Sequence, residues 1–167
     1  AEIRALLGAQ GLGDLGAHVI DLSLGMLHTS LCIENLLESA EAAGVIVVAS
    51  AGNSGAELPR EYPASSPRVI AVAASDAFAV PAPFTSFGTH VALAAPGVGV
   101  RSSYPGGAWR LWSGTSMSAP FVSGTAALLK SVHGGWSRGE TLARLRLSAR
   151  PLRGVSSEQS GKLGTGM

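Results

Sequence analysis

A single cysteine, Cys32, excludes an internal disulfide and leaves the redox compartment unmarked. Nothing cationic flanks it, and in the helix expected over Leu31 to Ala43 it faces the apolar side near Asn35 and Ser39. It therefore reads as a buried structural thiol. The chain also lacks any excess of one charge: twelve Lys and Arg face eleven Asp and Glu, a net charge of +1. With no basic stripe, nucleic acid is excluded as a partner class. No hydrophobic run approaches the roughly 20 residues of a membrane-spanning helix, so no membrane partner is expected. The longest runs, Val45 to Val48 and Val69 to Ala74, suit buried parallel strands. No stretch reads as a signal peptide. The chain starts at Ala1 and its last seven residues, GKLGTGM, stop in mid-pattern, which leads us to expect a piece of a longer protein.

What is present is enough for folded structure. With 167 residues and 46% hydrophobic content, the chain fits one globular domain over 1–167, or a large part of one. Residues 2–7 have the spacing of a helix tail, broken up by Gly8, Gly11, Gly13 and Gly16. Strands are expected at His18 to Leu24, Val45 to Ser50, Val69 to Ser75 and Val91 to Ala94. A helix over Glu34 to Ala43, closed by Gly44, makes the first two of these strands a right-handed crossover unit. Val98 to Ser103 and Trp109 to Ser113 read as a hairpin. Ser137 and Glu140 form a capping box for a last helix, Arg138 to Ser148. Apolar strands alternating with helices predict an α/β, doubly wound, mainly parallel sheet with helices on both faces. Functional groups should then gather at the carboxyl ends of the strands, in the loops after Leu24, Ser50 and Ser75 and in the turn before Ser116.

That turn carries the strongest signal. The run after Ser116, Phe121 to Val132, has no breaker until Gly134 and Gly135, so Ser116 falls in the first turn of a helix. Unpaired N–H groups and the positive end of the helix dipole converge there, and would stabilise negative charge developing beside the hydroxyl. Thr115 or Ser116 could equally be a cap, since Ser and Thr are common at N-caps. The longer string decides for chemistry. GTSMSAPFVSG, from Gly114 to Gly124, resembles the active-site serine signature of the subtilisin-like serine proteases.

Other segments extend that resemblance over nearly the whole chain. VIVVASAGNSG, from Val45 to Gly55, is similar to the family's loop bearing the oxyanion-hole asparagine, which implies that role for Asn53. A neutral amide suits it, because it can bond an oxyanion without carrying charge into the ground state. HVIDLSLG, from His18 to Gly25, resembles the strand that pairs with an extended polypeptide substrate. The resemblance places Ser23, Leu24 and Gly25 on one wall of the main specificity pocket and Ala51 and Gly52 on the other. YPASSPRVIAV, from Tyr62 to Val72, also looks like the family, whose first Tyr-Pro bond is often cis. Glu61 stands where many relatives have glycine, at the pocket base, where a carboxylate would favour Lys or Arg before the scissile bond.

Two members of the expected triad are missing. A serine hydroxyl needs a base to take its proton, and the base needs an orienting carboxylate. The family carries them upstream, in an Asp-Ser/Thr-Gly turn and a His-Gly-Thr-His helix start, and neither motif occurs here. Phe87-Gly88-Thr89-His90 imitates the second, but Phe87 occupies the catalytic position and His90 matches the non-catalytic one, so His90 reads as a partly exposed structural histidine. His18, His28 and His133 occupy a strand start, a loop and a helix end. Asp14, Asp21 and Asp76 lie outside the required motif.

Truncation explains this best: a serine endopeptidase whose Asp and His lie N-terminal to Ala1, inactive or nearly so as this piece. The alternative is a catalytically inactive domain that binds extended peptides or inhibitors. The piece itself should present an open sheet edge, for which its own N-terminal segment is an expected partner. The resemblance further implies a secreted or extracytoplasmic site. No cofactor is expected, and no metal: the aspartate that serves calcium in relatives corresponds to Ala92.

Overall fold

The computed structural model describes residues 16–57 and 61–166. The expected helix tail at 2–7 and Asp14 lie outside them. In chain order the elements are β1 (Val19–Leu22), α1 (Leu31–Ala42), β2 (Ile46–Ser50), β3 (Val69–Ser75), β4 (Val91–Pro96), β5 (Val100–Tyr104), β6 (Ala108–Trp112), α2 (Thr115–Val132), α3 (Arg138–Ser148) and β7 (Thr165–Gly166).

Every residue of β2 and β3 is buried. Strands of that kind require cover on both faces of the sheet. The sheet order is β1-β2-β3-β4-β7, and each neighbouring pair is parallel. Successive side chains then choose opposite faces. Val47 and Ala49 of β2 pack with Ile20, Leu22, Val69 and Ala71 beneath Ile33, Leu36 and Leu37 of α1. Ile46 and Val48 join Ile70, Val72 and Leu93 on the other face, under Ala119 and Val122 of α2 and Leu145 of α3. Helices therefore cover both faces, as a doubly wound α/β fold requires.

Local signals account for the helices. Ser30 caps α1 by accepting the Ile33 N–H at 3.3 Å, and Gly44 ends it with φ +72°. Ser137 accepts the Glu140 N–H while the Glu140 carboxylate accepts the Ser137 N–H at 2.9 Å, so α3 begins with the expected capping box. Lys130, buried near the end of α2, donates to the carbonyls of Gly44 and Trp136, both at 3.0 Å, and ties that helix to the start of β2. β5 and β6 form the expected hairpin, turning at residues 105–107 with Gly106 and Gly107 at φ +80° and +77°.

Some expectations need correction. Cys32 is exposed. The buried stripe of α1 runs through Ile33, Leu36 and Leu37, and Cys32, one position before it, is turned off that stripe towards solvent. β1 is shorter than the expected His18 to Leu24, and β4 runs two residues past Ala94. The two-residue strand β7 has no periodicity to announce it; it is held by pairing with Leu93 and Ala94.

Candidate active site

Ser116 is the second residue of α2. Its N-cap is Gly114, no side chain caps the helix, and neither Thr115 nor Ser116 is spent in that way. The Gly114 N–H donates to the Gly97 carbonyl and the Gly97 N–H to the Ser75 carbonyl, both at 2.8 Å. These bonds hang the turn before Ser116 from the carboxyl ends of β3 and β4. A β-carbon on Gly97 would strike the Ser118 hydroxyl and the Ala74 side chain, so a larger residue would push the turn and the helix start apart.

Asn53 leaves the end of β2 and meets the same helix start. Its Oδ1 accepts the Thr115 N–H at 2.8 Å and the Thr115 hydroxyl at 3.1 Å. The Thr115 oxygen in turn accepts the Gly52 N–H at 3.2 Å, and Thr115 is fully buried. Holding a carboxamide by its oxygen commits its NH2 to the opposite side, where both hydrogens remain donors. The Met117 N–H donates to the Gly114 carbonyl at 3.0 Å and the Thr115 N–H to Asn53, so of the first three N–H groups of α2 that of Ser116 is left for a ligand. A cleft of about 320 Å³ runs from there, between Ser116, Met117 and Phe121 on one side and Val100 and Arg101 on the other. Thr115 is the residue that motif reading missed as a functional part. It stands inside GTSMSAP, but its bonding to Gly52 and Asn53 spans about sixty residues of chain and is invisible in one dimension.

The end of β1 closes the other side. The Ser23 hydroxyl lies 3.1 Å from the Ser116 carbonyl oxygen and 3.2 Å from the Asp21 carboxylate. Beyond it, Met26 and Tyr62 exchange two backbone hydrogen bonds of 2.8 Å, which carries Glu61 next to Gly25. The Glu61 carboxylate fills the space between Gly25 and Gly52, so that a β-carbon on either glycine would collide with it. Gly52 also has φ +101°, which alone disfavours any side chain there. Partial burial raises the Glu61 carboxyl above its ordinary 4.5. Among the described residues no Lys, Arg or His forms an ion pair with it. The Tyr62–Pro63 bond is cis.

The remaining histidines and aspartates serve other ends. Phe87 is buried against Ala73, Val91 and Leu163, so the imitation motif is core. His90 is partly exposed, and its pKa is lowered by burial. His133 stacks on Trp136 at 4.0 Å. Asp76 accepts the N–H groups of Phe78 and Val80, both at 2.9 Å, and shapes a turn. Among the described residues no histidine is hydrogen-bonded to the Ser116 hydroxyl. Ala92 is buried with its carbonyl accepting from Arg146 at 3.4 Å, and the described residues hold no cluster of three metal-binding side chains.

The sequence model of the Subtilase family matches residues 2–166. The chain belongs to the subtilase family. This subtilase is 40% identical over 156 residues to subtilisin BL of Lederbergia lenta, which covers 92% of the chain and 58% of that protein. It is also 40% identical over 156 residues to an alkaline protease of Shouchella clausii, of which it covers 41%. Among solved structures it resembles the prenylagaramide maturation protease PagA, with a TM-score of 0.86 and 29% identity over 99% of the chain and 64% of that protein. A cold-adapted subtilisin-like serine proteinase matches at TM-score 0.84 and 26% identity, over 96% of the chain and 59% of that protein. The subtilase chain therefore spans only about half the length of these two named relatives, 58% of one and 41% of the other.

Proposed function

We propose that the chain is the C-terminal catalytic portion of a serine endopeptidase. Ser116 Oγ attacks the scissile carbonyl, and Asn53 Nδ2 and the Ser116 N–H receive the oxyanion. Collapse of the tetrahedral intermediate expels the amine and leaves an acyl-enzyme on Ser116. The proton passes through a base and an orienting carboxylate carried by the segment that precedes Ala1 in the full-length protein. The observation that carries this reading is the fixing of Asn53 Oδ1 by both donors of Thr115, which leaves a neutral NH2 at the helix start that bears Ser116.

Family membership supports the reaction class, and the two glycine walls support an extended polypeptide as the substrate. Its backbone would pair with Ser23 to Gly25, and its side chain before the scissile bond would enter between that segment and Ala51-Gly52. Glu61 would select Lys or Arg there, because a cation pairs with a partly buried carboxylate that has no ion-pair partner among the described residues. A secreted or extracytoplasmic site of action rests on kinship alone; among the described residues no helix is long and apolar enough to cross a membrane.

A fluorophosphonate probe tests the reaction. The full-length protein is expected to be labelled at Ser116 and the Ser116→Ala variant not at all, while the 167-residue chain alone shows little hydrolysis. A folded full-length protein that resists labelling would instead be a peptide-binding domain. Cleavage of peptides bearing Lys, Phe or Leu tests the pocket, and an unaltered preference after Glu61→Gly would refute the role given to Glu61.

A further inference from the structure

The carbonyl of Ser116 has no helical donor. In an α-helix it would accept from the N–H four residues on, and that residue is Pro120, which has none. The donor that reaches it is the Ser23 hydroxyl, from the end of β1, at 3.1 Å. That hydroxyl has one hydrogen, and the Asp21 carboxylate competes for it at 3.2 Å. The other oxygen of Asp21 accepts from Ser123 Oγ at 2.9 Å, and Ser123 in turn lies 3.1 Å from the Ala119 carbonyl. One carboxylate thus faces two hydroxyls, each standing over a carbonyl in the first turns of the Ser116 helix.

We propose that Ser23 is a positioning residue for Ser116, supplying the hydrogen bond that Pro120 withholds, and that Asp21 governs it by competing for the same hydroxyl. Two hydroxyl hydrogens serve four acceptors when Asp21 is ionised, and the charged acceptor draws them both. Protonating Asp21 adds a third hydrogen: the acid donates to a serine, and Ser23 turns to the Ser116 carbonyl. Partial burial raises the Asp21 carboxyl above its ordinary 3.8, against the two serine hydroxyls that lower it. Among the described residues the neighbouring charges are few. β2, paired with β1, carries no titratable side chain, and α2 carries only Lys130, engaged by Gly44 and Trp136. His18 precedes β1, beside Lys130.

This inference rests on Ser116 being the nucleophile, but one of its readouts does not. Ser116-Met117 is the only Ser-Met step in these 167 residues. Carbonyl-13C serine combined with 15N methionine therefore singles out the Ser116 carbonyl within this chain, and the signal lost in Ser116→Ala assigns it in the full-length protein. Its shift is expected to follow one acidic titration in the wild type, to lose that titration in Asp21→Asn and, below that titration, to move in Ser23→Ala and return in Ser23→Thr. Pro120→Ala restores a helical donor and should make a further Ser23→Ala change silent. At pH values below the Asp21 titration, labelling of Ser116 by the fluorophosphonate should slow roughly three- to tenfold in Ser23→Ala, the loss of about one hydrogen bond. Its pH profile should lose the inflection that Asp21 contributes in Asp21→Asn and keep the limb set by the general base. A carbonyl shift indifferent to Ser23→Ala in a folded variant overturns the proposal. A shift that obeys these rules in a protein that is never labelled upholds the Ser23 bond and overturns the protease reading.

Discussion

Asn53 and Glu61 show how much a single side chain depends on what holds it. An asparagine after a strand is ordinarily a turn former. Here its oxygen is consumed by Thr115, which turns the same amide into a fixed donor. Asn53→Ala should lower turnover of the full-length enzyme with little change in KM. Removing the corresponding asparagine from subtilisin costs about 100- to 1,000-fold, a magnitude that belongs to that enzyme and sets the scale for this variant. Thr115→Val, which keeps the N–H bond but deletes the hydroxyl, should cause a smaller loss through misplacement of the amide. Equal losses in the two variants would remove the distinction drawn here between donor and support. Glu61 bears on stability as well as selectivity. Its carboxyl binds a proton more tightly folded than unfolded, so its contribution is fully present below pH 4.5 and is lost as pH rises through its raised value. Glu61→Gln should accordingly raise Tm at pH 7.5, and the gain should shrink towards pH 4. Thermal melts at the two pH values measure it, and a gain that grew on acidification would contradict the burial argument.

At the scale of elements, α1 and α3 give two contrasting tests. Cys32 lies off the buried stripe of α1, so Ellman's reagent should titrate one thiol per native chain without denaturant. A thiol that reacts only on unfolding would return Cys32 to the core. For α3 the capping box predicts that Ser137→Ala lowers stability by about 1 kcal/mol, read as a shifted urea midpoint at constant slope. In the sequence α1 was legible from its stop at Gly44 and α3 from the Ser137–Glu140 capping box, whereas the cap at Ser30 came from the structure. Which face of α1 is wet was less visible, because Cys32 sits one step beside Ile33 and both count as apolar. Only the sheet underneath distinguishes them.

Over the whole molecule, two layers of helix enclose a parallel sheet, and the functional groups collect where the strands end. That placement explains why Ser23, Asn53 and Ser116, far apart in sequence, share one neighbourhood. It also explains the prediction for calcium. Ala92, where relatives carry the aspartate, is buried in β4 with its carbonyl given to Arg146, and it has no carboxylate to offer a hard cation. The Tm of this chain should be the same in calcium and in chelator. A rise with calcium, followed by calorimetry, would point to ligands outside the described residues.

The motifs and the layer order could be read directly from the chain. Apolar runs too short for a membrane but fully apolar require a sheet covered twice, and GTSMSAP and AGNSG announce a serine and an amide at strand ends. Their meeting could not be read, because it depends on parallel pairing across non-adjacent segments. Pro120 was legible as a residue without an N–H, yet the donor that answers it, Ser23, lies 93 residues away. Sequence by itself determined most of the secondary structure and the family likeness, and it holds neither the Asp-Ser/Thr-Gly nor the His-Gly-Thr-His motif. The tertiary structure alone decided that Thr115 orients Asn53, that Glu61 stands between two glycines, and that Ser23 and Asp21 reach the helix of Ser116. Those are contacts between distant strand ends, and packing in three dimensions, not local propensity, creates them.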